Sequence, residues 1–301
     1  MQSETYGQPG VVKILSSYLE GGQLSHAYLF FGTSGVGKLR IAKAWATEIL
    51  AASHPQTPHL VASGQHPDYL LMQREGSVIR IEDIRNMEKW LYQKPYWGQR
   101  RVVIINEAQY LNRESGNALL KTLEEPPAYA IIILVADDNM LLPTIVSRCQ
   151  LVRFSPLNPD YIKGVLIATG VEDEPAALAA VMAEGSLNTA ALLIKREPVE
   201  LQAEATRLLG DLQAGRGQAV ILQAEAMEKD ADYRRALYVA LRYLLMAAVR
   251  GQEAVIRIKP EVARQVMVKM DEHRRLERVN ASQLFLSLEM LWQIFDLVKS
   301  A

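Results

Sequence analysis

The chain has 301 residues, 49% of them hydrophobic and 22% charged, with a formal net charge of −1. That length leaves room for two or three domains. The near-neutral charge excludes a global electrostatic pull toward nucleic acid, so any such contact needs a local patch or a partner.

The one cysteine, Cys149, excludes an intramolecular disulfide and a zinc site built from several thiolates. His54, His59 and His66 share a loop region, but no carboxylate or thiolate lies at ligand spacing, so no metal site is expected there. "MQSETYGQPG" lacks the charged segment and apolar core of a signal peptide. No apolar run approaches the roughly 18 residues of a membrane span. A cytoplasmic protein is the expectation.

Strands and helices alternate through the first half. "AYLFFG" (27–32) reads as a buried parallel strand ending in glycine, followed by a helix from Lys38 to about Ala51. "DYLLMQ" (68–73) is a second strand. "IEDIRNMEKWLYQ" (81–93) is a helix with Ile84, Met87, Trp90 and Leu91 on one face. "RVVIIN" (101–106) is a third strand. The helix 113–125 has Asn112 as N-cap and Pro126–Pro127 as its stop. "AIIILVA" (130–136) and "QLVRF" (150–154) complete a set of five strands. This alternation predicts an α/β fold, a parallel sheet covered by helices on both faces.

The pattern changes at "RFSPLNPDY" (153–161), where two prolines and an asparagine mark a boundary. No strand is predicted beyond it. The expected domains are 1–156, a small helical unit at 157–198, and an all-helical unit at 199–301. Helices in the last are predicted near 201–213, 231–250 and 281–299. In the last helix Leu284, Leu288, Leu291, Phe295 and Val298 form one stripe, with Leu286, Met290, Ile294 and Leu297 elsewhere around it. Such a helix is buried on most sides, either in its own domain or partly against another subunit. "HRRLER" (273–278) is a basic cluster that reads as a solvated helix face.

The loop "GTSGVGKL" (32–39) follows a strand and opens a helix, the context of a phosphate-binding loop. Gly32, Gly35 and Gly37 let backbone N–H groups turn toward an anion, the helix N-terminus adds positive potential, and Lys38 would reach the phosphates. The next position ordinarily holds a Ser or Thr hydroxyl on magnesium; here it is Leu39. At the end of the third strand, where such enzymes place an aspartate for the metal and often a glutamate for the attacking water, the pair is Asn106–Glu107. Phosphoryl transfer rests on positioning and charge neutralisation. Losing both metal supports therefore predicts loss of turnover, with Glu107 as a residue of the former site.

"SHAYLFFGTSGVGK", "QHPDY", "NALLKTLEEPP" and "LPTIVSRCQ" together resemble the bacterial clamp-loader subunits of the AAA+ superfamily, closely over about residues 5–155. The resemblance implies a AAA+ P-loop domain, a helical lid and a C-terminal helical collar. It also implies that Ser147–Arg148–Cys149 carries an arginine finger, Arg148, acting in trans on ATP bound by a neighbouring subunit; read alone, Arg148 is a surface cation. Where motor subunits of the family carry a sensor arginine, in a "GSLR"-like turn, this chain has Asn188. Where they carry a polar first sensor, it has Ala136–Asp137.

These departures imply a degenerate ATPase that needs no cofactor of its own, with ATP–Mg in neighbouring subunits. The segment 49–68 lacks the family's four-cysteine module, so no zinc is expected. The implied partners are gamma/tau and delta subunits in a hetero-oligomeric ring and, through it, the sliding clamp and primed DNA, within the DNA polymerase III holoenzyme, a nucleotidyltransferase. The rival reading is an active gamma/tau-type ATPase, kept open by Lys38 and Glu107.

Overall fold

The computed structural model describes residues 7–22, 24–74, 76–137, 141–251, 258–276 and 282–299. The chain forms two compact units, Met1–Asn158 and Pro159–Ala301.

The first unit begins with α1 (Pro9–Glu20) and continues through β1 (Ala27–Phe31), α2 (Lys38–Leu50), α3 (Thr57–Ala62) and β2 (Tyr69–Met72). Then come α4 (Ile81–Leu91), β3 (Arg101–Ile105), a 3₁₀ turn at Ala108–Tyr110, α5 (Arg113–Glu124), β4 (Ala130–Ala136), α6 (Pro143–Val146) and β5 (Gln150–Arg153). The five strands make one sheet in the order β2-β3-β4-β1-β5, with every pairing parallel. All five strand predictions are met within two residues at each end. The interior strands β3 and β4 are buried at every position, whereas β5 at the sheet edge buries only Val152. Continuous apolar runs therefore mark interior strands, and mixed runs mark edges.

One face of the sheet is covered by α4 and α5. Ile84, Met87 and Leu91 from α4, and Leu119 and Leu123 from α5, pack on Val103, Ile105, Ile132 and Leu134; Trp90 is only partly buried at the margin. The N-cap of α5 is as predicted, with the Asn112 side chain accepting from the Ser115 N–H at 2.8 Å. A second aromatic cluster joins β1 to α2. Tyr28 meets Trp45 edge-on at 4.6 Å between centroids, and Phe30 packs against Phe154 at 5.3 Å.

The second unit is helical throughout its described residues: α7 (Pro159–Ala168), α8 (Asp173–Met182), α9 (Leu187–Lys195), α10 (Pro198–Gln213), α11 (Gly217–Lys229), α12 (Ala231–Val249), α13 (Pro260–Leu276) and α14 (Gln283–Lys299). The segments 159–198 and 199–301 lie within this one unit.

In α14 the buried face is Leu286, Ser287, Met290, Leu291, Ile294, Phe295 and Val298. The predicted stripe is thus rotated: Leu291, Phe295 and Val298 hold, but Leu284 and Leu288 are only partly buried. Phe285 and Trp292 face outward, 65% and 48% exposed. Of the basic cluster, 277–278 lie outside the described residues; His273 is buried, so the cluster does not begin on a solvated face. No described helix is long and apolar enough to cross a membrane.

Candidate functional site

Three places in the first unit carry most of the residues singled out from sequence: the loop 32–39, Asn106–Glu107 at the end of β3, and the turn 147–149; Asn188 lies in the second unit.

The loop is built as a phosphate cradle is built. Gly32 has φ +145°, and a Cβ there would lie 2.4 Å from the Phe154 carbonyl oxygen, so no side chain fits. Gly37, at φ +91°, turns the chain into α2. Lys38 opens that helix and is 5% exposed. Its ammonium donates to the carbonyl oxygens of Gly32 and Thr33, each at 2.7 Å, and pairs with Asp137 Oδ1 at 3.0 Å.

The donors needed for magnesium are missing here. Leu39 has no oxygen, and Asn106 offers only a neutral amide. Glu107 is held elsewhere: its carboxylate pairs with Arg74 Nε at 3.4 Å, and the Arg74 guanidinium lies 4.0 Å above the Tyr110 ring. Glu107 is also in left-handed backbone, φ +54°, an uncommon conformation for a side chain of its kind. The side chains at 39 and 106 do not supply the hydroxyl and carboxylate that hold magnesium in such a site. Arg74 escaped sequence reading; its one signal is its place two residues past β2, the neighbour of β3.

Ser147–Arg148–Cys149 joins α6 to β5. The Arg148 side chain is 35% exposed. One guanidinium nitrogen donates to the Thr144 carbonyl at 3.0 Å, and another to Glu124 Oε1 at 2.7 Å, at the end of α5. Ser147 Oγ donates to the same Thr144 carbonyl. Burial pushes the Cys149 thiol up to about 12, so at neutral pH it is a protonated packing residue. Asn188 is exposed in the first turn of α9, which Ser186 caps through the Thr189 N–H. It belongs to the second unit.

His54, His66 and the "QHPDY" motif have structural duties, whereas His59 is exposed. His54 stacks on Trp97 at 4.5 Å, and His66 meets the same ring edge-on and hydrogen-bonds Ser53. No described group of three or more His, Cys, Asp or Glu residues could hold a metal ion. Asp68, fully buried, accepts from the backbone N–H groups of Tyr96 (2.6 Å), Trp97 (2.9 Å) and Gly98 (3.4 Å) and pairs with Arg101 (3.4 Å). Burial raises its carboxyl, but these donors more than reverse the effect, leaving it below the ordinary value.

A family model described as DNA polymerase III, delta subunit, matches residues 7–158, just over half of the chain. The DNA polymerase III subunit delta′ of Bacillus subtilis is 32% identical over 220 residues, which cover 70% of this chain and 67% of that protein. The chain belongs to the DNA polymerase III delta′ family of clamp-loader subunits. The delta′ subunit of Pseudomonas aeruginosa is 35% identical over 165 residues, 51% of this chain and 50% of that relative. The tau subunit of Escherichia coli is 34% identical over 203 residues, 62% of this chain but 32% of its own length. Tau and delta′ relatives thus align at similar identity, and what separates them must be read from individual site residues.

Proposed function

We propose that this chain is the delta′ subunit of a DNA polymerase III clamp loader, that it does not hydrolyse ATP, and that it supplies Arg148 to ATP bound by a neighbouring gamma/tau subunit. The observation that carries this is the contrast between the chain's own site and the turn 147–149. The chain's own site lacks the hydroxyl at Leu39 and the carboxylate at Asn106, has its lysine already engaged, and has Glu107 turned to Arg74. The arginine of the "SRC" turn, by contrast, stays at the surface.

A guanidinium suits the finger role because it is always charged and offers planar, paired donors to phosphate oxygens. Such a group is worth roughly 10³–10⁵ in turnover where it acts. To reach a phosphate, Arg148 must leave Glu124. That pair is solvent-exposed, 35% and 51% on its two sides, and exposed pairs are worth about 0–1 kcal/mol. A phosphate can therefore out-compete it.

On this reading the helices of the second unit supply the lid and collar, with domains near 1–156, 157–198 and 199–301. The chain sits in a ring with gamma/tau and delta subunits, and the ring places a sliding clamp on primed DNA in the cytoplasm. ATP–Mg belongs to the neighbours; this chain needs no cofactor and no zinc.

The second reading is an active gamma/tau-type ATPase, supported by Lys38, Glu107 and the alignment with tau. Steady-state ATP hydrolysis by the purified chain separates the two. The proposal expects no turnover above background. Turnover that Lys38→Ala abolishes would overturn it. In the reassembled complex, Arg148→Ala should slow DNA-stimulated hydrolysis while leaving assembly intact; unchanged hydrolysis would remove the finger role.

A further inference from the structure

The altered metal positions would account for the proposed absence of hydrolysis, but they do not by themselves empty the loop of anions. Its backbone cradle and lysine remain. What the lysine touches is therefore the informative point.

Pairing of β1 with β4 sets Phe31 level with Ala136, so the next residues, Gly32 and Asp137, lie side by side at the ends of those strands. The Asp137 N–H donates to Gln109 Oε1 at 3.2 Å, fixing its backbone. Its carboxylate sits 3.0 Å from the Lys38 ammonium. An ammonium has three N–H donors, and Gly32, Thr33 and Asp137 supply three acceptors at 2.7, 2.7 and 3.0 Å. A phosphate oxygen that takes an N–H of Lys38 competes with these acceptors. The two carbonyls belong to the loop's own backbone, five and six residues before Lys38, and Gly32 lies close against Phe154. The displaceable partner is the carboxylate, which is 41% exposed.

We propose that Asp137 is an internal anion that holds the Lys38 ammonium and keeps phosphate-bearing ligands out of this loop. Two effects add. The carboxylate satisfies the cation that would attract a phosphate, and its own charge repels phosphate oxygens at the short distances where screening is weak. Neither effect involves magnesium. The barrier at Asp137 is thus separable from the loss of metal donors at Leu39 and Asn106. The inference rests on reading residues 32–39 as a phosphate cradle, and is independent of Arg148.

The test is equilibrium binding of a fluorescent ATP analogue to the full chain in EDTA at fixed ionic strength, followed by polarisation. Asp137→Asn and Asp137→Ser should each bind at least tenfold more tightly than the parent chain; the serine variant guards against an asparagine that re-bonds to Lys38. Adding Lys38→Ala to either should erase the gain. Melting temperatures confirm that each variant is folded, and the two substitutions give independent chances of a folded one. Equal affinity within about twofold, no binding by any form, or a gain that survives Lys38→Ala would each overturn the proposal. Such a failure would leave the Arg148 reading standing, because that role is read from hydrolysis in the neighbouring subunit.

Discussion

Replacing Asp68 with alanine tests how the first unit is held together. The carboxylate is fully buried and is the acceptor for three consecutive backbone N–H groups, Tyr96 to Gly98, and for Arg101, itself 5% exposed. Removing one partner of a buried pair costs about 3–5 kcal/mol, because the other charge is left unmatched. Arg101 keeps carbonyl partners at Trp90 and Pro67 and lies over the Trp90 ring at 4.3 Å. That places the expected cost at the low end, about 3 kcal/mol. For a unit of this size each kcal/mol lowers Tm by about 2–4 °C, so Asp68→Ala should melt about 6–12 °C early. Asp68→Asn keeps an acceptor oxygen and should cost less. The assay is thermal and urea unfolding followed by tryptophan fluorescence, with Trp97 reporting on the loop.

The pH dependence has a definite sign. A carboxylate depressed by folding stabilises above its unfolded pKa and loses that contribution as pH falls through the lower folded value. The gap between parent and Asp68→Asn should be flat from about pH 5 to 8 and close below about pH 4, the ordinary carboxylate range. A shift under 2 °C for Asp68→Ala, or a gap that widens in acid, would refute the reasoning.

Arg148→Lys should lower hydrolysis by the assembled complex by about 10³ or more, since a lysine cannot offer two parallel donors. It should change the stability of the isolated chain by less than about 1 kcal/mol, read as an unchanged urea midpoint. Gly32→Ala forces a methyl to 2.4 Å from the Phe154 carbonyl; overpacking of this kind costs about 1–3 kcal/mol, and calorimetry should show the melting temperature fall. Cys149, its thiol pushed up to about 12, should react with iodoacetamide at pH 8 far more slowly in the folded chain than in urea, as mass spectrometry would record.

The sheet was legible in the sequence because its interior strands have no polar position to disguise them: "RVVII" and "AIIILVA" are buried throughout. Helices with a side-chain cap or a sharp stop, such as α5 and α12, were found with good bounds. One missed helix, α1, does carry such marks, a proline at its start and Gly21–Gly22 at its end; the others offer less. The N-cap residue Arg216 of α11 makes no side-chain cap bond, and among its described side chains α13 buries a narrow stripe, Ala263, Val266, Met270 and His273. Short α3 and α6 fall below the length at which periodicity speaks. At the site, the sequence named the loop residues and the two altered metal positions. It could not pair Lys38 with Asp137, 99 residues apart, because that contact depends on β4 lying beside β1. Nor could it pair Glu107 with Arg74, which depends on β2 lying beside β3.

The Lys38–Asp137 contact has one more property. A bound nucleotide comes and goes with its concentration in solution, so any loop that holds one changes state as the supply changes. A partner carried on the same chain has a fixed effective concentration. If Asp137 excludes phosphate-bearing ligands as proposed, the shape of residues 32–38 is uncoupled from the nucleotide pool. On the proposed function, in which the neighbouring subunits bind ATP, such a loop would offer them a constant surface to work against.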